Sequence, residues 1–238
     1  MTSPRERNVY LAKLAEQAER YDQMAAYMGE VAAEDKDLDP EERNLLSVAF
    51  KNAIGARRAS WRIVSAWEAR ETSTGNLENA TVGKEYREQI EGELQYLCGS
   101  VLKTLEAYLL PHAQGGGETG VFYNKMGGDY YRYLAEFSTG AEKTKAQQNA
   151  LRSYQDAMAF AKADNGLPVT HPSRLGLALN FSVFYYQVVD DPEAACRLAR
   201  ETFEDAMAEM DTVAEETYKD SSLILQLLRD NLTLWTSE

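Results

Sequence analysis

An all-α fold is predicted by three features of the sequence. The 238 residues include only six prolines and fifteen glycines, and most of these are gathered at a few places. The long stretches between those places carry apolar residues at helical spacing rather than in strict alternation. Two stretches, roughly residues 40 to 71 and 77 to 110, are far longer than a mean helix of about 11–12 residues. Such lengths indicate antiparallel helix pairs in a layered array.

Breaks in the helical pattern mark the element boundaries in order along the chain. Prolines and glycines end helices, and together with short polar residues they predict turns. We expect breaks at Leu38–Pro40, Thr72–Asn76, Pro111–Gly120, Ser138–Gly140, Gly166–Pro172 and Asp190–Pro192. We expect about nine helices along the chain. The length fits one large helical domain or two small ones.

The charge balance excludes several classes of partner. The chain has 38 acidic and 25 basic residues, a formal charge of −13, so its field should repel nucleic acid and anionic membrane surfaces. No stretch reaches the roughly 18 apolar residues of a membrane span, and the first residues show no apolar signal core. We therefore expect a soluble intracellular protein that does not insert into membranes. Its expected localisation is cytoplasmic, with nuclear localisation as a second expectation.

Residues for catalysis or metal binding are scarce. The two histidines, His112 and His171, each lie beside a proline at a predicted helix boundary, and neither has a glutamate three residues before it. The chain contains no phosphate-binding glycine loop and no G-x-S-x-G nucleophile motif. The sequence therefore predicts no enzyme, no metal site and no cofactor.

Three cations share one face of the long helix expected after residue 40. Lys51, Arg58 and Arg62 fall within roughly 40° of one another at about 100° per residue. Side by side they repel, which is costly unless carboxylates or an anionic ligand neutralise them. Two interpretations stay open: an anion-binding face, or a solvated basic face paired with nearby glutamates.

A second basic pair lies on the helix expected after residue 120. Lys125 and Arg132 are seven residues apart and share one face, and Asp129 and Glu136 are spaced to orient Arg132. A guanidinium held by carboxylates beside the hydroxyl of Tyr133 matches the bidentate geometry of a phosphate group. This arrangement favours a phosphate site. The alternative is that the neighbouring tyrosines only pack, which we accept for Tyr130.

Two later helices carry apolar residues together with an asparagine. Leu223, Leu227 and Leu234 cluster within about 40° around the last helix, with Asn231 at the edge of that stripe. An asparagine offers both a donor and an acceptor, which suits an extended peptide backbone. A leucine stripe alone is more often core, so the core and groove interpretations both stay open.

Two segments carry a resemblance to a known family. The stretches Arg43 to Asn52 and Tyr218 to Ser237 resemble the 14-3-3 family, and the likeness extends from Lys13 to the end of the chain. It implies a single domain over residues 1–238, with nine antiparallel helices that form a concave amphipathic groove. It also implies a dimer through the N-terminal helices. Residues 1–35 and part of 78–95 would form the dimerisation region, and residues 40–238 would form the groove.

The resemblance also assigns roles to individual residues. The phosphate would be held by Lys51, Arg58, Arg132 and Tyr133, with Arg62 and Lys125 close by. The peptide main chain would be bound by Asn180 and Asn231. The apolar wall would be formed or supported by Leu179, Val183, Leu223, Ile224, Leu227, Leu234 and Trp235. The dimer interface would include Leu14, Ala15, Ala18, Arg20, Gln23, Ser60, Tyr86, Gln89 and Glu93.

Some positions depart from the family pattern. Arg20 and Glu93 match one familiar ion pair between subunits, whereas Gln23 and Gln89 replace another charged pair. Gln187 replaces the usual glutamate near the groove, so we expect a more positive pocket. Ser60 follows two arginines as in a basic-directed kinase site, and in some relatives this serine regulates dimerisation. The alternative is a buried serine that bonds back to its own helix.

The implied function is a phosphoserine- or phosphothreonine-dependent adaptor. It would bind client segments of the Arg-x-x-pSer-x-Pro type, as a homodimer or heterodimer, and regulate clients by clamping, masking or bridging them. The alternative is a helical scaffold that binds apolar or amphipathic segments without regard to phosphate. The two hypotheses differ in whether basic residues or leucines dominate binding.

Overall fold

Helices form the entire framework of the part of the chain that the structure describes. The computed structural model describes residues 3–34 and 37–237, and these contain nine α-helices and no strand. They divide into two compact units, with the boundary between His112 and Ala113. The predicted all-α class is confirmed. The single domain over residues 1–238 stays a prediction, and its residues 1, 2, 35, 36 and 238 lie outside the described residues.

The first unit is built from four α-helices. These are α1 (Pro4–Gln17), α2 (Tyr21–Ala32), α3 (Pro40–Ser73) and α4 (Leu77–Thr104). After α4 the chain continues through a π-helical turn, Leu105–Leu109, and a 3-10 turn, Leu110–Ala113. The two long helices expected from the apolar pattern are therefore present. They are joined by a short turn in which Gly75 has a φ of 80°, a conformation that favours glycine.

Two helices of the first unit begin at capping boxes. Ser3 and Asp39 each accept a hydrogen bond from the N–H of a glutamate three residues later, and each glutamate accepts one from the cap's own N–H. These boxes satisfy donors that a helix start leaves unpaired. Glu42 also accepts from Nη2 of Arg5 at 2.6 Å, which joins α1 to α3. The fully buried core side chains of this unit include Met24, Met28, Leu46, Ile54 and Leu94.

The second unit is built from five α-helices. These are α5 (Gly117–Phe137), α6 (Gly140–Lys162), α7 (Pro172–Phe184), α8 (Pro192–Glu209) and α9 (Glu215–Thr236). A π-helical turn, Tyr185–Val189, follows α7, and a 3-10 turn, Met210–Thr212, follows α8. One apolar cluster lies among α5, α6 and α7, and a second lies among α7, α8 and α9. Helix α7 contributes to both clusters and so fixes α5 relative to α9.

The helix boundaries differ from the expected breaks at three places. The break expected at Pro111–Gly120 is shorter, because α5 already begins at Gly117. Two further breaks, at residues 18–20 and 210–214, were not expected. Neither break contains a glycine or a proline. At residues 18–20, Glu19 adopts a left-handed φ of 54°. At residues 210–214, the chain forms a 3-10 turn. Patterns that rely on glycine and proline miss such junctions.

A close helix contact in the second unit depends on a glycine. A Cβ atom at Gly128 of α5 would lie 2.7 Å from two ring carbons of Tyr154 on α6. The missing side chain therefore lets the Tyr154 ring lie directly against the α5 backbone. This contact places the tyrosine hydroxyl among the polar side chains of α5.

No helix within residues 3–34 and 37–237 combines the length and the apolar character of a membrane span.

Candidate functional site

The basic residues of α3 between Lys51 and Arg62 lie on two different faces of the helix. Lys51 and Arg62 are exposed and Arg58 is half-buried. Arg57, next to Arg58 in sequence, instead turns towards α2 and α4, where its Nη1 is 2.7 Å from Oδ1 of Asp22 and its Nε is 3.1 Å from Oε2 of Glu93. The run is therefore not one block of cations. One arginine joins three helices of the first unit, whereas the predicted triad lies along a separate face of α3.

Arg132 on α5 is a buried cation with a fixed environment. Only 6% of the residue is exposed. Its Nη2 lies 3.6 Å from Oδ1 of Asp129 and its Nη1 lies 3.7 Å from Oε1 of Glu136, so both carboxylates are where the spacing predicts. The guanidinium carbon lies 4.6 Å from the ring centroid of Tyr133, in a cation–π contact. Tyr130 is buried with its ring edge against Tyr133, which fits the packing role expected for it.

Asp129 joins the polar side chains of this region. Its Oδ2 accepts from Nζ of Lys125 at 2.8 Å. Its Oδ1 accepts from the hydroxyl of Tyr154 at 2.7 Å and from Nδ2 of Asn180 at 2.8 Å. Helices α5, α6 and α7 therefore meet at one carboxylate. Burial alone would raise the pKa of the Asp129 carboxyl, but the charges of Lys125 and Arg132 outweigh it and hold that pKa below its ordinary value.

Tyr154 is a member of the cluster that sequence reasoning missed. It is fully buried, and its ring stacks on Phe181 at 5.2 Å between centroids. Its hydroxyl also accepts a hydrogen bond from Nε of Arg132 at 3.1 Å. Tyr154 is 22 residues from Arg132 and on another helix, so no local spacing reveals it. The only sequence signal is Gly128, and its meaning depends on which helix packs against it.

The predicted apolar wall of the second unit separates into an exposed row and a buried support. Leu223, Leu227 and Leu234 of α9 are exposed at 63%, 44% and 57%. Trp235 is buried and stacks on Tyr186 with 4.8 Å between centroids. The remaining predicted wall residues, which are partly buried against the same core cluster, are Leu179, Val183 and Ile224. The leucine stripe therefore faces solvent, and the simple core interpretation of it is wrong.

The predicted peptide-binding asparagines are both partly exposed. The amide nitrogen of Asn180 is bound to Asp129, so its carbonyl oxygen is the atom directed away from that carboxylate. Asn231 lies on α9 between the exposed Leu227 and Leu234. Gln187, expected near the groove, is exposed in the π-helical turn after α7.

The predicted dimer-interface residues all lie in the first unit, and most are exposed. Leu14 is 48% and Tyr86 is 55% exposed. The exposed polar and small members are Ala18, Arg20, Gln23, Ser60, Gln89 and Glu93. Ala15 is an exception because it is buried in the core of its own unit, at 6% exposure.

Several of these interface residues have partners within the chain. Nε of Arg20 donates to Oε1 of Gln23 at 2.7 Å, and Glu93 is paired with Arg57. The hydroxyl of Ser60 donates to the carbonyl of Ala56 at 3.1 Å, so the back-bonding of the alternative interpretation is present, but Ser60 is exposed rather than buried. An open cleft of about 640 Å³ lies beside these residues, lined among others by Asp22, Phe50, Gln89, Glu93 and Tyr96.

Within residues 3–34 and 37–237, no group of three or more histidine, cysteine, aspartate or glutamate side chains is placed to hold a metal ion. The described cluster around Asp129 is an ion-pair and hydrogen-bond network between helices.

Comparison with known proteins identifies the class to which this helical fold belongs. The family model described as 14-3-3 protein matches residues 11–236. A 14-3-3-like protein from Oenothera elata subsp. hookeri is 58% identical over 238 residues, covering 99% of this chain and 90% of the relative. The 14-3-3-like protein from Pisum sativum is 57% identical over 238 residues, with the same coverage. The 14-3-3 protein epsilon from Drosophila melanogaster is 58% identical over 234 residues, covering 98% of this chain and 88% of the relative.

The chain therefore belongs to the 14-3-3 family. Members of this family are adaptors that bind client proteins, rather than enzymes. Membership supports a phosphoprotein-binding adaptor role at the level of the family.

Proposed function

We propose that this protein is a phosphoserine- and phosphothreonine-dependent adaptor. The phosphate is bound by Lys51, Arg58, Arg132 and Tyr133, with Arg62 and Lys125 close by, as the family resemblance implies. The observation that carries the proposal is the buried guanidinium of Arg132. It is surrounded by the carboxylates of Asp129 and Glu136 and the hydroxyl of Tyr154. A guanidinium in a fixed orientation can offer two parallel donors to a phosphate without first losing side-chain entropy.

Hydrogen-bond energies are sufficient for this role. A hydrogen bond to a charged group contributes roughly 1.5–3 kcal/mol, and a micromolar complex needs roughly 8 kcal/mol. A few such bonds from arginine, lysine and tyrosine would supply most of that affinity. Removal of the phosphate from the client should therefore release it.

The charges of the ion-paired groups around Arg132 cancel. Lys125 and Arg132 are balanced by Asp129 and Glu136, so these four groups have no net charge at neutral pH. Arg132 would therefore recognise a phosphate through the orientation of its donors rather than through the net charge around it.

The second unit offers the groups that would bind the rest of a client segment. The carbonyl of Asn180 and the amide of Asn231 would bind the peptide main chain. The exposed row of Leu223, Leu227 and Leu234 would contact its apolar side chains. The firm support beneath that row, which includes Trp235, keeps the leucines in place without covering them.

We also infer that the protein forms homodimers or heterodimers through its N-terminal helices. The exposed Leu14 and Tyr86 and the cleft beside Gln89 and Glu93 support this assignment. A dimer holds two binding sites, so a doubly phosphorylated client gains avidity without any new contact. Such a client could be clamped, masked or bridged to another protein.

The proposal is tested by titration with a phosphoserine peptide of the Arg-x-x-pSer-x-Pro type and with its unphosphorylated twin. Isothermal calorimetry should give a micromolar or tighter Kd for the phosphopeptide and at least a hundredfold weaker one for the twin. Arg58→Ala and Arg132→Ala should each weaken binding of the phosphopeptide. Equal affinities of the two peptides for the native protein would sink the proposal.

A second candidate function is a scaffold that binds apolar or amphipathic segments without phosphate, and the exposed leucine row of α9 favours it. Under that hypothesis Leu227→Asp abolishes binding, whereas Arg58→Ala and Arg132→Ala are tolerated. Under the phosphate-dependent hypothesis, any of the three substitutions impairs binding. The same peptide titration, repeated on the three variants, separates the two functions.

A further inference from the structure

The ring of Tyr154 packs among aromatic rings, and its hydroxyl is its polar group. Its ring contacts Phe181 and Phe184, with centroids 5.2 Å and 5.5 Å away. The residue is 0% exposed. A client peptide therefore cannot touch Tyr154, and any effect of its hydroxyl on binding must pass through another residue.

The hydroxyl of Tyr154 uses both of its hydrogen-bonding functions within the cluster. It donates to Oδ1 of Asp129 at 2.7 Å and accepts from Nε of Arg132 at 3.1 Å. Burial and the neighbouring Asp129 charge raise the pKa of this hydroxyl well above its ordinary value, so it keeps its proton. The direction of both hydrogen bonds is therefore constant over the physiological pH range.

Two kinds of group surround Arg132: carboxylates that balance its charge and a hydroxyl that fixes its orientation. The carboxylates of Asp129 and Glu136 lie 3.6 Å and 3.7 Å from its terminal nitrogens. These separations are too long for directional hydrogen bonds, although they suffice for electrostatic attraction. The bond from Nε to Tyr154 is within hydrogen-bond length. The tyrosine, rather than either carboxylate, thus provides the directional contact to the guanidinium.

The same hydroxyl acts on Asn180 through a shared acceptor. Oδ1 of Asp129 accepts from both Tyr154 and Nδ2 of Asn180. Loss of the tyrosine hydroxyl would leave this oxygen with one fewer donor and allow the carboxylate to turn. Arg132 and Asn180 are therefore connected by three consecutive hydrogen bonds through Tyr154 and Asp129.

We propose that Tyr154 is a positioning residue for client binding: its hydroxyl sets the direction of the Arg132 guanidinium and, through Asp129, that of the Asn180 amide. This inference rests on the proposed function, because it concerns the residues assigned there to the phosphate and the peptide main chain. It adds Tyr154, a buried residue that contacts neither the phosphate nor the peptide main chain.

The test compares Tyr154→Phe with Tyr185→Phe in the full-length chain. Tyr154→Phe keeps the ring that packs against Gly128 and removes only the hydroxyl. Tyr185→Phe is a matched control, because Tyr185 stacks on the same Phe181 ring at 4.7 Å and also loses only a hydroxyl. Calorimetric titration with the phosphopeptide, well below the unfolding temperature, should show about tenfold weaker binding for Tyr154→Phe and native affinity for Tyr185→Phe.

Nuclear magnetic resonance of the native protein gives a readout that needs no variant. The Nε–H resonance of Arg132 should be resolved and exchange slowly with water, because this proton is buried and bonded to Tyr154. In Tyr154→Phe, the same proton should shift and exchange at least tenfold faster. A merely structural role would change the unfolding temperature without changing the affinity of the folded protein.

The outcomes separate the inference from the function on which it rests. Native affinity in a folded Tyr154→Phe variant, or fast exchange of Arg132 Nε–H in the native protein, would overturn the positioning role even if the phosphopeptide is bound. If Tyr154→Phe does not fold, the exchange rate in the native protein decides. Equal binding of phosphorylated and unphosphorylated peptides to the native protein would instead overturn the proposed function.

Discussion

At the scale of single residues, Asp129 joins four polar side chains of the second unit. It accepts hydrogen bonds from Lys125, Tyr154 and Asn180 and lies beside Arg132. These partners stabilise the ionised form of the buried carboxylate, since each of them is a hydrogen-bond donor or a cation. Its contribution to stability should therefore depend on pH.

Asp129→Asn should destabilise the protein by about 3 kcal/mol at pH 7, because it leaves two cations without their shared counter-charge. The folded-state pKa of Asp129 is lowered, so its contribution is present above the ordinary value of about 3.9 and is lost as pH falls through the folded pKa. Urea unfolding midpoints of the native protein and the variant should thus converge below about pH 4.

The exposed Asp156 on α6 provides the control for that experiment. Asp156→Asn removes a carboxylate from the surface of the same unit and should change stability by no more than about 0.5 kcal/mol at pH 7. A stability difference between native protein and Asp129→Asn that is the same at pH 7 and pH 3 would contradict the assignment of charge to Asp129.

At the scale of helices, the contact between α5 and α6 depends on two adjacent glycines that differ in their surroundings. A Cβ atom at Gly128 would lie 2.7 Å from the Tyr154 ring, whereas one at Gly127 would lie 3.4 Å from Oγ of Ser153. The first position requires glycine because the ring is packed and cannot move aside. The second leaves room for a small side chain.

Gly128→Ala should therefore destabilise the protein by about 1–3 kcal/mol, the usual effect of forcing an extra carbon into a packed interior. Gly127→Ala is the matched control on the same helix and should be neutral or stabilising by up to about 1 kcal/mol, because alanine favours the helix. Both values can be measured by urea unfolding. Equal effects of the two substitutions would contradict the packing described for Tyr154.

Helix α9 shows how one helix combines support with an exposed binding surface. Leu225, Leu228 and Trp235 are buried, whereas Leu223, Leu227 and Leu234 are exposed. The helix is apolar on two faces, which is more than packing in this unit requires. Exposed apolar side chains on one face of a helix are the kind of surface that can bind another protein segment.

At the scale of the whole molecule, the dimer-interface residues expected from the family are accessible in the first unit, apart from Ala15. Glu93, expected to pair with Arg20 of a second subunit, is already paired with Arg57 of its own chain. Gln23 and Gln89 further reduce the number of charges available across the interface. We therefore expect dimerisation to depend more on apolar contacts than on ion pairs, and to change little with salt.

If the proposed dimer forms through Leu14, Leu14→Asp should convert it to a monomer, because the substitution places a charge at an exposed apolar position and leaves the core of the unit intact. Sedimentation velocity, with and without added salt, measures the change in mass. The affinity for a singly phosphorylated peptide should stay at the native value, whereas a doubly phosphorylated peptide should lose about a hundredfold in affinity as avidity disappears. A variant that still sediments as a dimer would show that Leu14 is not at the interface.

Local spacing along the chain determined much of this protein. Helical periodicity predicts the all-α class and the long α3 and α4, and the i+3 and i+4 rules predict Asp129 and Glu136 beside Arg132, because neighbours on one helix follow from helix geometry alone. The acidic composition and the scarcity of histidine are likewise properties of the chain itself.

Tertiary structure decided what depends on contacts between distant helices. It turns Arg57 away from the other cations of α3, leaves Ala15 buried and Ser60 exposed, and exposes the leucines of α9 while burying Trp235. It also brings Tyr154 and Asn180 to Asp129 from 25 and 51 residues away. Periodicity indicates which residues share a helix face, but only the packing of helices against one another decides what that face meets.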